Sequence, residues 1–69
     1  MKTMDLKSKL SWLKERNYRV RHNDFGWWVD GPHFWLTGYV ATRSEAINLG
    51  YLIVQRAEFR RLVTNERVS

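Results

Sequence analysis

The chain of 69 residues carries twelve Lys and Arg, eight of them arginine, against seven Asp and Glu, for a formal charge of +5 and a pI near 10.1. With no cysteine, disulfide and thiolate-metal staples are excluded, and stability must come from aromatic-rich packing or self-association. A hydrophobic share of 43% and a charged share of 28% fit one folded globular domain over 1–69 rather than a disordered chain. No apolar run approaches the roughly 20 residues of a membrane span, and no signal-peptide pattern opens the chain, so the expected location is the cytoplasm. The positive balance favours polyanionic partners, and arginine suits bidentate contacts to phosphate or guanine.

Leu6, Leu10 and Leu13 recur at helical spacing, with Lys7, Lys9, Lys14 and Glu15 on other faces, which predicts a first helix over about 4–16. Asn17 stands where a left-handed residue would end it. Trp12 lies off the leucine stripe and either covers the edge of the core or meets a partner.

From residue 18 to 39 apolar and polar positions alternate at period two around the turn formers Asn23-Asp24, Gly26 and Gly31-Pro32. Strands are predicted over about 18–22, 26–30 and 33–39. Tyr18, Val20 and His22 take one side of the first, Arg19 and Arg21 the other. Consecutive Trp27 and Trp28 must point to opposite sides. Strand parity groups Trp27, Val29, Trp35 and the two arginines on one face, and Trp28, Phe34 and Leu36 on the other. A sheet this narrow cannot bury indoles on both sides, so at least one stays accessible.

Thr42-Arg43-Ser44-Glu45 is a capping box, which predicts a second helix from 43 to about 64 and a frayed tail over 65–69. Its inner stripe is Ala46, Ile47, Gly50, Ile53, Val54 and Ala57. These side chains are small or β-branched and allow close approach to an aromatic sheet, with Gly50 expected against a tryptophan. Arg56, Arg60 and Arg61 form a basic end, most simply a solvated helix face. The expected fold is α+β: helix, three-stranded antiparallel sheet, helix, in the order α-β-β-β-α.

Chemistry has little to work with. Only His22 and His33, without cysteine, could begin a metal site, and the seven acids are scattered. Neither an activated nucleophile with its base nor a phosphate-cradling glycine loop stands out. The expectation is a binding protein rather than an enzyme, with no metal, cofactor, small-molecule substrate or membrane partner.

Tyr18-Arg19-Val20-Arg21, Phe25-Gly26-Trp27-Trp28, Trp35-Leu36-Thr37-Gly38-Tyr39 and Thr42-Arg43-Ser44-Glu45-Ala46 follow one another in an order that resembles the ethylene-response-factor type of DNA-binding domain. The resemblance covers about forty residues. It implies a three-stranded sheet packed on one helix and laid in the major groove. Arg19, Arg21 and Trp35 would take positions that touch bases and backbone, Phe25 would replace a contacting tryptophan, and Trp28 would be core. The element order also resembles that of double-stranded-RNA-binding domains, with Gly31-Pro32-His33 matching their loop. The basic cluster those domains carry at the start of the last helix is absent, since 42–46 holds only Arg43.

The favoured reading is a small basic nucleic-acid-binding protein, with duplex DNA as partner and Arg19, Arg21, Phe25, Trp27, Trp35, Thr37 and Arg43 as the candidate contact set. The alternative is a protein-binding inhibitor or adaptor, of the kind phages and mobile elements encode, with Trp12, Trp27 and Trp35 as anchors. Surplus aromatics meeting across a homodimer would explain the same composition. The position of the arginines discriminates: gathered beside the aromatics they favour nucleic acid, and spread over the body they favour a protein partner.

Overall fold

The computed structural model describes residues 4–32 and 34–68, with side chains through 61. Its first helix, α1 (Leu6–Glu15), starts later than leucine spacing alone predicts, because Asp5 caps it. The Asp5 backbone is extended, and its carboxylate accepts the Ser8 N–H at 2.8 Å, satisfying one of the donors a helix start leaves open. The other end closes on Asn17, left-handed at φ 68 as expected. The N–H of Tyr18 donates to Leu13 C=O and that of Asn17 to Lys14 C=O, both at 3.0 Å, which is a Schellman motif.

The chain then forms a hairpin of β1 (Arg19–Asn23) and β2 (Gly26–Asp30). Its register sets Arg19 opposite Asp30, Val20 opposite Val29, Arg21 opposite Trp28, and His22 opposite Trp27. Asp24 and Phe25 form the two-residue turn, in which Asn23 Oδ1 accepts the Phe25 N–H at 2.9 Å. Gly26 follows at φ 142, which a side chain would strain, and a Cβ there would lie 2.7 Å from the Val40 carbonyl oxygen.

Among the described residues the expected third strand over 33–39 does not form, and the sheet has two strands rather than three. The order is α-β-β-α. His33, its predicted first residue, lies outside the described residues. The returning segment touches β2 only at two isolated antiparallel bridges, Asp30 with Trp35 and Trp27 with Val40. Two residues of β2 separate these bridges, but four residues of the returning segment do. A ladder cannot keep register across that mismatch, so the extra residues bulge. Thr37 repairs the break with its side chain: its hydroxyl accepts the Val29 N–H at 3.0 Å where a strand would offer a carbonyl. Leu36 N–H donates to Val29 C=O at 2.9 Å.

The second helix, α2 (Arg43–Val68), opens with the Thr42 hydroxyl accepting the Glu45 N–H at 3.2 Å. Its backbone stays helical through Val68, past the predicted end near 64 and through most of the expected frayed tail, while Ser69 lies outside the described residues. Leu13, Val29, Ala46 and Ile47 are fully enclosed, with Val54 nearly so. Gly50 faces Val29 rather than a tryptophan. A Cβ there would stand 2.8 Å from Val29 Cγ2, so only glycine lets α2 come this close to the hairpin.

A polar and aromatic seam joins the helices. Lys9 Nζ donates to Asn48 Oδ1 at 2.8 Å, Trp12 meets Tyr51 edge-on at 4.9 Å, and Arg16 Nε donates to Glu58 Oε1 at 2.8 Å. These partners climb both helices together, so α1 and α2 run in the same direction. The Arg16 guanidinium lies 3.7 Å above the Trp12 ring, which makes Trp12 part of the seam and half-buried in it.

Candidate nucleic-acid interface

Opposed residues of an antiparallel pair share a face, so the register sorts the hairpin's side chains. Val20, Val29, His22 and Trp27 share the inner face, where Val29 meets α2. Arg19, Arg21, Trp28 and Asp30 share the outer face. Parity alone grouped the arginines with Trp27, Val29 and Trp35; the register groups them with Trp28 and Trp35 instead. The cause is the turn: its two residues set Asn23 against Gly26, and a turn one residue longer would have reversed the assignment.

On the outer face Trp28 is the floor of an aromatic cluster. Trp35 stacks on it with centroids 4.8 Å apart and planes 22° from parallel, and Tyr39 stands edge-on to both at 5.4 and 5.5 Å. Phe25, at the turn, leans on Tyr39 at 5.8 Å, and Asn23 Nδ2 donates to the Tyr39 hydroxyl at 3.3 Å. The floor is enclosed and the cover is open: Trp28 is 8% exposed, Trp35 50%, Phe25 79% and Tyr39 45%. The Trp28 indole N–H is buried without a hydrogen-bond partner among the described residues.

The cationic part adjoins this cluster. Arg21, opposite Trp28, has Nε 3.3 Å from Asp30 Oδ2, with its side chain half exposed. Arg19, opposite Asp30, is exposed. Arg43 is exposed at the first position of α2, and with Lys14, Arg19 and Arg21 it lines a groove along the outer edge of β1.

Of the seven predicted contact residues, four share the outer face or its rim: Arg19, Arg21, Phe25 and Trp35. Arg43 is set apart, across the groove. Trp27 is on the inner face, half-buried, with His22 stacked on it at 4.4 Å. Thr37 is buried, its hydroxyl accepting from Val29 and donating to Gly38 C=O at 3.1 Å, which leaves it no reach to a ligand. Tyr39, which ties Phe25 to the stacked indoles, was left out of the predicted contact set, although it closes both the predicted strand and the motif 35–39.

Among the described residues no group of three or more His, Asp or Glu could hold a metal, and no helix is long and apolar enough to cross a membrane. Comparison with protein-family models, curated proteins and solved structures finds no match for the chain.

Proposed function

We propose that this protein binds nucleic acid, duplex DNA foremost, through the outer face of its hairpin. The observation that carries the reading is the placement of Arg21 opposite Trp28, beneath the half-exposed Trp35, with Arg19 beside them. Cations for phosphate and guanine, and rings for sugars and bases, then act on one surface. A two-stranded ribbon is of a width the major groove admits. Asp30 does not oppose this strongly. Its pair with Arg21 is at the surface, where such pairs contribute about 0–1 kcal/mol, and a phosphate can take its place.

The test is a fluorescence-anisotropy titration with duplex DNA, duplex RNA and a single strand over a range of salt. Duplex DNA should bind most tightly, with affinity falling steeply as salt rises. Arg19→Ala and Arg21→Ala should each reduce the logarithmic salt slope by about 0.9, the share of one phosphate contact. No binding of any of the three at low salt would end the reading.

A protein-binding reading rests on a different surface. Leu49, Leu52 and Phe59 lie along one side of α2, 37%, 40% and 67% exposed, at spacings that make a stripe. Sedimentation at several concentrations tests whether a second copy covers it.

A further inference from the structure

The long edge of β1 away from β2 carries a second site. Trp27 and Val29 direct their N–H and C=O groups to the returning segment: Trp27 and Val40 exchange both bonds, and Val29 bonds Leu36 and Thr37. Opposed pairs in an antiparallel ladder alternate between bonded and non-bonded. Trp28 and Asp30 therefore face β1 and bond Arg21 and Arg19, which leaves the N–H and C=O of Val20 and His22 aimed outward. Among the described residues nothing pairs with them across that edge.

Beside the edge runs a groove of about 730 Å³, lined by Leu10 and Lys14 of α1, by Val20 of β1, and by Pro32 and Arg43. Among the described residues its charged lining is Lys14, Arg19, Arg21 and Arg43 against Asp30 alone, and Asp30 is already paired with Arg21. We infer that β1 accepts an extended acidic peptide by strand addition, its backbone bonding Val20 and His22, its acidic side chains on the arginine side and apolar ones toward Leu10 and Val20. This goes beyond the proposed duplex binding: the peptide backbone uses the edge of the hairpin, while its acidic side chains meet Arg19 and Arg21, which that reading also uses.

A second copy of the chain is a poor occupant. Self-pairing at this edge must bond Val20 and His22 to their counterparts, because only those groups face outward. In the register that sets Val20 of each copy against His22 of the other, Arg21 stands opposite Arg21, and like charges in direct opposition destabilise a ladder. An acidic strand meets the same arginines with attraction.

The probe is a fluorescent peptide of alternating glutamate and valine, titrated at low salt into the full chain. Two further peptides are N-methylated, one on every valine and the other on every glutamate. Only one set of peptide N–H groups can face β1, so one methylated peptide should bind about tenfold more weakly and the other with unchanged affinity, as expected for a few lost hydrogen bonds. Arg19→Glu, at an exposed position, should weaken the parent peptide by a similar factor. Equal affinities of the two methylated peptides, or no binding of the parent, overturn the proposal. So does a short oligothymidylate that binds where the peptide does not, since the groove is then a path for phosphates.

Discussion

Trp35 lies across Trp28 with 4.8 Å between ring centroids, and it is the half-exposed ring that keeps the other enclosed. The two substitutions should therefore differ in cost. Trp28→Ala removes the floor of the cluster and should destabilise by about 3–5 kcal/mol in urea unfolding, whereas Trp35→Ala, losing a ring already half in water, should stay below that range. Trp28→Phe should be the mildest of the three, because it keeps an aromatic floor and deletes an N–H that has no partner among the described residues. Equal losses for Trp28→Phe and Trp28→Ala would mean that the indole N–H is satisfied after all.

Thr37→Val should destabilise by about 1–3 kcal/mol, since a methyl in place of the hydroxyl leaves the buried Val29 N–H without its acceptor. Thr37→Ser should recover most of the loss. Amide exchange at Val29 reports this directly and should accelerate in the valine variant only. Nucleic-acid affinity of the folded Thr37→Ser protein should match the parent, because this hydroxyl faces inward.

Gly50→Ala sets helix propensity against packing. Alanine favours the helix by about 1 kcal/mol over glycine. Its Cβ, however, would meet an enclosed Val29 Cγ2 at 2.8 Å, with Val29 Cβ and Cγ1 at 3.4 Å behind it. Overpacking of this kind costs about 1–3 kcal/mol, so the net effect should be destabilising. Combining it with Val29→Ala should yield a double variant more stable than the sum of the singles predicts. Additive losses in thermal unfolding would show that the helix can shift aside.

Acid should loosen the start of α1. The Ser8 backbone N–H, first, and the Ser8 side chain, second, hold the Asp5 carboxyl below its ordinary value of 3.8. A carboxylate lowered by folding stabilises the fold fully above its unfolded pKa, and the benefit disappears as pH falls through the lower folded value. The difference in Tm between the parent and Asp5→Ala should thus be constant near neutrality and shrink in strong acid. A difference that persists unchanged into strong acid would assign the cap to something other than the ionised group.

Local chemistry was legible from residue types. The helix stop at Asn17, the turn at Asn23-Asp24 with Gly26, and the Thr42 cap each depend on a few adjacent residues: Asn17 takes the left-handed backbone its type tolerates, and the side chains of Asn23 and Thr42 each accept a nearby backbone N–H. What needed distance along the chain was not. The missing third strand turns on two surplus residues between bridges at Trp35 and Val40, and period-two alternation runs through such a bulge without a mark. Arg19, Arg21, Phe25 and Trp35 came together through the motif resemblance, and the hairpin brings them to one face and its rim. Trp27 and Thr37 were misplaced because the face of a strand residue is set by register, and Thr37 looked like a surface residue until its hydroxyl was needed inside. Gly50 was read correctly as a site of close approach, but its partner is Val29.

Since α1 and α2 point the same way, the chain must travel back along their length between them, and the hairpin with its returning segment is that route. The contacts that close the seam, Lys9 with Asn48 and Arg16 with Glu58, bridge 39 and 42 residues of sequence. Neither can form until the intervening loop has been drawn in, at the full entropic cost of closing it. Folding should accordingly be slow for so short a protein and all-or-none, with no fragment that holds its shape alone.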